Sequence, residues 1–194
     1  ESLLKLDLLL SFLREIRGTL GPDLYLWLYT NGDPLDAPVL RKLREAGLDE
    51  IRINLSARNY DLAPVRLAAR HLGTVTVEIP AIPEERASVQ SCLGELAALG
   101  VAHLNLHQLM GSPHNYRALA SRGYTFLHQD GVPVLESEIA ALEILRFALD
   151  QGIAFPVHYC SAAYKDRFQE RAQRLQPARA LRDPGEEVTG AGYL

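Results

Sequence analysis

The chain has 194 residues, enough for one domain with a substantial core, and its 47% hydrophobic and 23% charged content is that of an ordinary globular protein. A formal net charge of −4 with no basic run argues against a nucleic-acid surface, and no apolar stretch reaches membrane-spanning length, "LLKLDLLLSFL" being broken by Lys5 and Asp7. Two cysteines, Cys92 and Cys160, cannot build a disulfide framework, which fits a reducing cytoplasm.

In chain order the pattern is helix then strand, repeated. A helix over about 1–18 opens the sequence; no signal peptide precedes it, and without an initiating Met, Glu1 marks an interior starting point. A strand at about 24–30 follows, then a helix at 37–46, a strand at 50–56, a helix at 61–71 and a strand at 74–80. A helix at 85–99 leads to a strand at 103–108, and an irregular stretch of roughly 110–134 precedes a helix at 137–151, a strand at 154–160 and a helix at 162–175. The segment from Pro177, with "RDPGEEVTGAGYL", is polar and Gly-rich, so the expected organisation is one domain over 1–176 and a linker or tail over 177–194. Strict alternation with short connections implies parallel strands joined by helical crossovers.

The strands are one-sided. In "EIRINLSA", Ile51, Ile53 and Leu55 oppose Arg52, Asn54 and Ser56; in "TVTVEIP", Val75, Val77 and Ile79 oppose Thr74, Thr76 and Glu78. In "HLNLHQ", Leu104 and Leu106 oppose His103, Asn105 and His107; in "LYLWLYTN", Leu24, Leu26 and Leu28 oppose Tyr25, Trp27, Tyr29 and Asn31. Strands buried by helices on both faces are continuously apolar, and unpaired polar groups there would cost about 1–3 kcal/mol each. The expected fold is therefore α/β, a partial TIM-like (β/α) barrel whose polar strand faces line a lumen. Sites in such barrels lie at the C-terminal strand ends. Thr30-Asn31-Gly32 occupies one, where Gly32 either lets backbone approach a ligand or supplies the left-handed residue of an ordinary βα loop.

"YTNG", "INLSA", "VEIPAIPE" and "LNLHQL", each closing a strand, together resemble strands three to six of a radical S-adenosylmethionine (radical SAM) enzyme, in particular proteins similar to pyruvate formate-lyase activating enzyme; "HYCSAAYKDRFQ" also resembles a C-terminal stretch of that group. The resemblance implies an iron–sulfur oxidoreductase that cleaves S-adenosylmethionine to a 5′-deoxyadenosyl radical, with a 4Fe–4S cluster and a small-molecule, peptide or protein substrate. The family's CxxxCxxC loop and Gly-Gly-Glu-Pro segment are absent from this sequence, and Cys92 and Cys160 lack neighbouring thiols. The expectation is a C-terminal part of a longer enzyme, missing the first two strands and inactive alone. By the same resemblance, Asn54 and Ser56 meet the cofactor's ribose and carboxylate, although each is equally a strand-end cap. Glu78 is carried over with them, Ile79 and Pro80 pack on adenine, His107 and Gln108 reach cofactor or substrate, and Thr30 and Asn31 lie near its methionine end. His158, Cys160 and Lys165 are candidate substrate contacts. The 110–134 segment is longer than an ordinary connection, which makes it a lid, a substrate contact or else disordered decoration.

Two other readings stand beside it. Glu78, His107 and His158 are residue types of a divalent-metal barrel hydrolase or isomerase. A non-enzymatic β/α scaffold binding a protein partner is the other. A barrel opened at the strand over 24–30 also exposes an edge carrying Tyr25, Trp27 and Tyr29, which implies self-association into a dimer.

Overall fold

A computed structural model describes residues 1–128 and 131–193. Five strands form one sheet: β1 (Trp27–Thr30), β2 (Glu50–Ile53), β3 (Thr74–Pro80), β4 (His103–His107) and β5 (Val157–Cys160). Their spatial order is β1-β2-β3-β4-β5, and the printed pairs β1–β2, β2–β3 and β3–β4 are parallel. A doubly wound sheet reverses its strand order at a switch point, which sends helices to both faces. Here the order never reverses, and right-handed crossovers then carry the connecting helices of consecutive strands to one face. This is the topology of a partial β/α barrel.

The chain divides into two compact units, 1–107 with 139–159, and 108–138 with 160–194. In the first, α1 (Leu6–Leu20), α2 (Ala37–Glu45), α3 (Ala63–Ala69), α4 (Arg86–Ala98) and α6 (Leu135–Asp150) supply the helical layer, the last from residue 139 onward. Helix α2 starts where the Asp36 carboxylate accepts from the Val39 N–H at 2.7 Å, and Pro38 sits in its first turn, where no donor is needed. The helices bury Leu40 and Leu43, Val65 and Ala68, Val89, Leu93 and Leu96, and Ala141, Ile144 and Ala148. Against them stand Ile51, Ile53, Val75, Val77, Ile79, Leu104 and Leu106, the aliphatic half of every alternating strand.

Strand β1 starts at Trp27 rather than at 24 because Arg17 claims the backbone before it. The guanidinium donates to the Pro22 and Leu24 carbonyls at 3.0 and 2.5 Å and to the Gly47 carbonyl through Nε and NH2 at 2.9 and 2.7 Å, and it pairs with Asp49. Strand β2 stops at Ile53 because the chain curls into a 3-10 turn at Ser56–Arg58, with Asn59 and Tyr60 both left-handed at φ 51° and 63°. Strand β5 begins at Val157, just after Pro156, whose missing N–H cannot join a ladder.

In the second unit, α5 (Tyr116–Ala120) and antiparallel bridges from Met110 to Pro133 and from Phe126 to Val134 give the 110–134 segment its own order; Gln129 and Asp130 within it lie outside the described residues. The helix after β5 is longer than its sequence pattern predicts. It runs from α7 (Ala162–Tyr164) through a π-helical turn (Lys165–Glu170) into α8 (Arg171–Leu181), passing Pro177. No described helix is long and apolar enough to cross a membrane.

Candidate functional site

The polar face of the first unit is a ladder of ionic rows. Register pairs Trp27 with Glu50 and Thr74, then Tyr29 with Arg52, Thr76 and His103, then Glu78 with Asn105, then Pro80 with His107. Arg52 lies at its centre. Its guanidinium stacks 3.9 Å over the Trp27 ring, bonds Glu50 at 2.9 Å through Nε and reaches Glu78 Oε2 at 3.1 Å through NH1. Glu78 Oε2 also accepts from Asn105 Nδ2 at 3.3 Å, and Oε1 lies 2.9 Å from His107 Nε2. Burial raises the Glu78 carboxyl, but His107, Asn105 and Arg52 outweigh burial and hold it down to about 2.

Above this ladder, towards the C-terminal ends, the polar groups are less fully used. His107 has no hydrogen-bond partner for Nδ1 among the described residues, although the atom is buried. Asn54 Oδ1 accepts from the Ala57 N–H at 3.4 Å, the capping role that such a residue takes at a strand end. Asn54 also faces Tyr29, whose hydroxyl is raised by burial and by Glu78 and lowered by its bond with Asn54. Ser56 is half-buried in the turn that follows, close to the Tyr60 hydroxyl, which donates to Glu85 at 2.6 Å. Asn54, Ser56, Glu78, Pro80 and His107 are thus carried by adjoining strands and the turn after β2.

Thr30 and Ile79 point to the other face. Ile79 is part of the apolar core, and Thr30 is buried with its hydroxyl donating to Glu1 Oε1 at 2.9 Å and accepting from the Gly32 N–H at 3.0 Å. Asn31 closes its loop locally: Oδ1 accepts from the Asp33 N–H at 3.1 Å, and its backbone N–H donates to Glu1 Oε2 at 3.1 Å. The Glu1 carboxylate therefore braces the β1 end, a role that its isolated position in the sequence did not disclose. Gly32 also has a structural reason. It sits at φ 89°, and a Cβ there would lie 2.8 Å from Pro64 Cβ, so α3 packs directly on this loop.

His158, exposed in β5, belongs to the first unit too. No cluster of three or more His, Cys, Asp and Glu side chains suited to a metal ion occurs among the described residues. Glu78 is occupied by Arg52, Asn105 and His107, which does not favour the metal-hydrolase reading.

The remaining expected residues lie in the second unit. Gln108 is 5% exposed and bonded at both ends of its amide: Nε2 donates to the Val134 carbonyl at 3.2 Å and to Glu138 at 3.4 Å, while Oε1 accepts from the Ala162 N–H at 2.9 Å. Cys160 is buried, with Gln169 Nε2 3.9 Å from its sulfur, and Lys165 opens the π-helical turn.

The fold and this site define a β/α-barrel type of protein with one polar sheet face and its least satisfied groups at the strand ends. No family model matches the chain. It is similar to a protein of Methanocaldococcus jannaschii named "Putative glycyl-radical enzyme activating enzyme", at 30% identity over 205 residues covering 99% of this chain and 52% of that protein. The chain spans about half the length of the curated relative it matches. No solved structure matches it.

Proposed function

We propose that this chain is the C-terminal part of the barrel of a radical SAM enzyme of the glycyl-radical-enzyme-activating type, and that it supplies a ribose and adenine surface for S-adenosylmethionine. The observation that carries the reading is the buried Nδ1 of His107, without a hydrogen-bond partner among the described residues, at the C-terminal end of β4, with Asn54 and Ser56 just past the end of β2. Similarity to a protein bearing an activating-enzyme name supports it.

The residues fit the nucleoside half of that cofactor. His107 offers ring nitrogens, Asn54 an amide and Ser56 a hydroxyl, while Ile79 and Pro80 bring backbone to the same strand end. They do not fit an iron–sulfur cluster. The chain's two cysteines are Cys92, half-buried in α4, and Cys160, buried at the end of β5, and three thiolates at close spacing are needed. When bound to a reduced cluster, S-adenosylmethionine supplies hydrogen-abstracting chemistry. This chain's share is to orient the nucleoside and keep water away, with a protein or peptide as the substrate class.

The test uses the complete protein that contains this chain, with its cluster reconstituted anaerobically. It should release 5′-deoxyadenosine from S-adenosylmethionine, and Asn54→Ala or Ser56→Ala should each weaken cofactor binding by about tenfold, the equivalent of one hydrogen bond of ~1.4 kcal/mol. Unchanged cofactor affinity in both variants would remove these residues from the site. Absence of 5′-deoxyadenosine would overturn the class.

A further inference from the structure

The second unit holds a cleft of about 790 Å³, lined by Asp166, Arg167, Arg171, Arg174 and the backbone of Gly190 and Ala191, among others. None of these groups belongs to the strand-end site. The cleft is built from two stretches of sequence. One is the continuous helix after β5, where the π-helical turn and the start of α8 carry Arg167, Arg171 and Arg174 at a spacing of four and three residues. Such a spacing gathers side chains on one helix face. The other is the chain's last segment, which folds back on that helix.

That fold-back is specific. The Thr189 N–H donates to the Tyr193 carbonyl at 2.8 Å and the Gly192 N–H to the Thr189 carbonyl at 3.0 Å, closing a compact turn. Arg171 Nε donates to the Gly190 carbonyl at 2.7 Å, and Arg174 Nε donates to the Ala191 carbonyl at 3.1 Å. Gly192, at φ 88°, approaches so closely that a Cβ there would lie 2.7 Å from Arg174 Cβ and 2.8 Å from the Leu175 backbone nitrogen. The Arg174 guanidinium also sits 5.2 Å over the Tyr193 ring. The turn is a wall of the cleft, and the Nε bonds fix two of the three arginines.

The charges of the cleft do not cancel. Arg174 is shared between Glu170 at 3.5 Å and Asp166 at 3.8 Å. Neither Arg167 nor Arg171 has a carboxylate within ion-pair distance among the described residues; Arg167 lies instead 5.6 Å over the Phe168 ring. Arg167, and Arg171 through the terminal nitrogens that its Gly190 bond leaves over, therefore line one concave space. A guanidinium matches a phosphate through two parallel hydrogen bonds. Set against Asp166 and Glu170, the three arginines leave one positive charge in excess, and two guanidiniums converging on one space offer more donors than a single carboxylate can use but a phosphate can. The volume falls within the ~300–1,000 Å³ range of small-molecule sites.

We propose that this cleft binds an organic phosphate of nucleotide size, its phosphates held by Arg167 and Arg171, with Arg174 holding the C-terminal wall in place. The site is independent of the strand-end nucleoside surface and stands or falls without it.

Calorimetric titration of the protein with ADP, inorganic pyrophosphate and triglutamate peptide as probes tests this. ADP should bind at one site, and Arg167→Gln, which touches no tail carbonyl, should weaken it about tenfold or more, the usual weight of a charge-assisted bond. Arg171→Gln should do the same, whereas Arg179→Gln, on the same helix but outside the cleft, should leave ADP affinity unchanged. Pyrophosphate binding with the same dependence on Arg167 supports the site, with the phosphates as the whole of the recognised group. No ADP binding, wild-type affinity in Arg167→Gln, an equal loss in Arg179→Gln, or triglutamate binding as tightly as ADP would each overturn the proposal.

Discussion

Replacing Glu78 by Gln keeps the shape of the side chain and removes the charge on which Arg52, Asn105 and His107 converge. Burial raises this carboxyl, but those three neighbours hold it at about 2 against an ordinary 4.5. At ~1.4 kcal/mol per pH unit, that depression amounts to about 3 kcal/mol of stability at neutral pH. The side chain is 13% exposed, so solvent screening removes little of it. Because the folded carboxyl is the stronger acid, the unfolded chain binds the extra proton as pH falls. The contribution is therefore whole above the ordinary value and is lost as pH drops from there towards 2. Urea unfolding followed by Trp27 fluorescence should show the wild type losing about 2 kcal/mol from this group between about pH 5 and pH 3. In Glu78→Gln that part of the slope should vanish, and stability at about pH 7 should fall by roughly 2–3 kcal/mol because Arg52 keeps only Glu50. An unchanged pH slope in Glu78→Gln would refute the reasoning and assign the acid sensitivity to other carboxylates.

Arg17→Ala removes the donor that serves Pro22, Leu24 and Gly47 and the partner of Asp49, and should lower stability by about 2–4 kcal/mol in the same urea assay; a loss under about 1 kcal/mol would mean that water replaces it fully. Thr76 is completely buried and its hydroxyl has no partner among the described residues, so Thr76→Val should be neutral or stabilise by about 1 kcal/mol, while a loss of that size would reveal a partner for the hydroxyl. Strand β1 ends the sheet order and carries exposed Tyr25, Trp27 and Tyr29 in or beside it; light scattering should find dimers at high concentration that Tyr25→Ser weakens, and monomers throughout would dismiss the edge as an interface.

What the sequence disclosed was whatever depends on period. Alternation in Ile51-Arg52-Ile53 and in Leu104-Asn105-Leu106 separates an aliphatic face from a polar one, and the structure buries the aliphatic members completely. Helix–strand repetition then fixed the class, and strand order follows from the crossover rule. Less legible was whatever depends on one side chain meeting distant backbone. Arg17 displaces the start of β1 through carbonyls that no local pattern connects to it. Gly32 carried two meanings in the sequence; the Pro64 contact supplies a packing reason that only the tertiary structure displays. The same holds for the final segment. Its composition is that of a linker, yet Gly192 is the residue that lets the turn lie against α8, because a side chain there would collide with it.

The candidate site shows why polar residues on a strand face are not equivalent. Glu50, Arg52, Glu78 and Asn105 satisfy one another across β2, β3 and β4, and Trp27 covers the guanidinium between them. A ligand competing for those groups would have to break charge-assisted bonds within a half-buried network, at a cost of several kcal/mol. Nothing comparable holds the last row. The His107 ring lies against the Glu78 carboxylate and leaves Nδ1 unbonded among the described residues, while Asn54 gives one long bond to its own turn and one to the Tyr29 hydroxyl. In the proposed reading the ladder acts as a floor, and the nucleoside is held by the groups at the C-terminal strand ends. On that proposal Glu78 is a positioning residue, acting on the strand-end groups through His107 and through Tyr29. Its neutralisation should disturb ligand binding through the orientation of the His107 ring even where the fold survives.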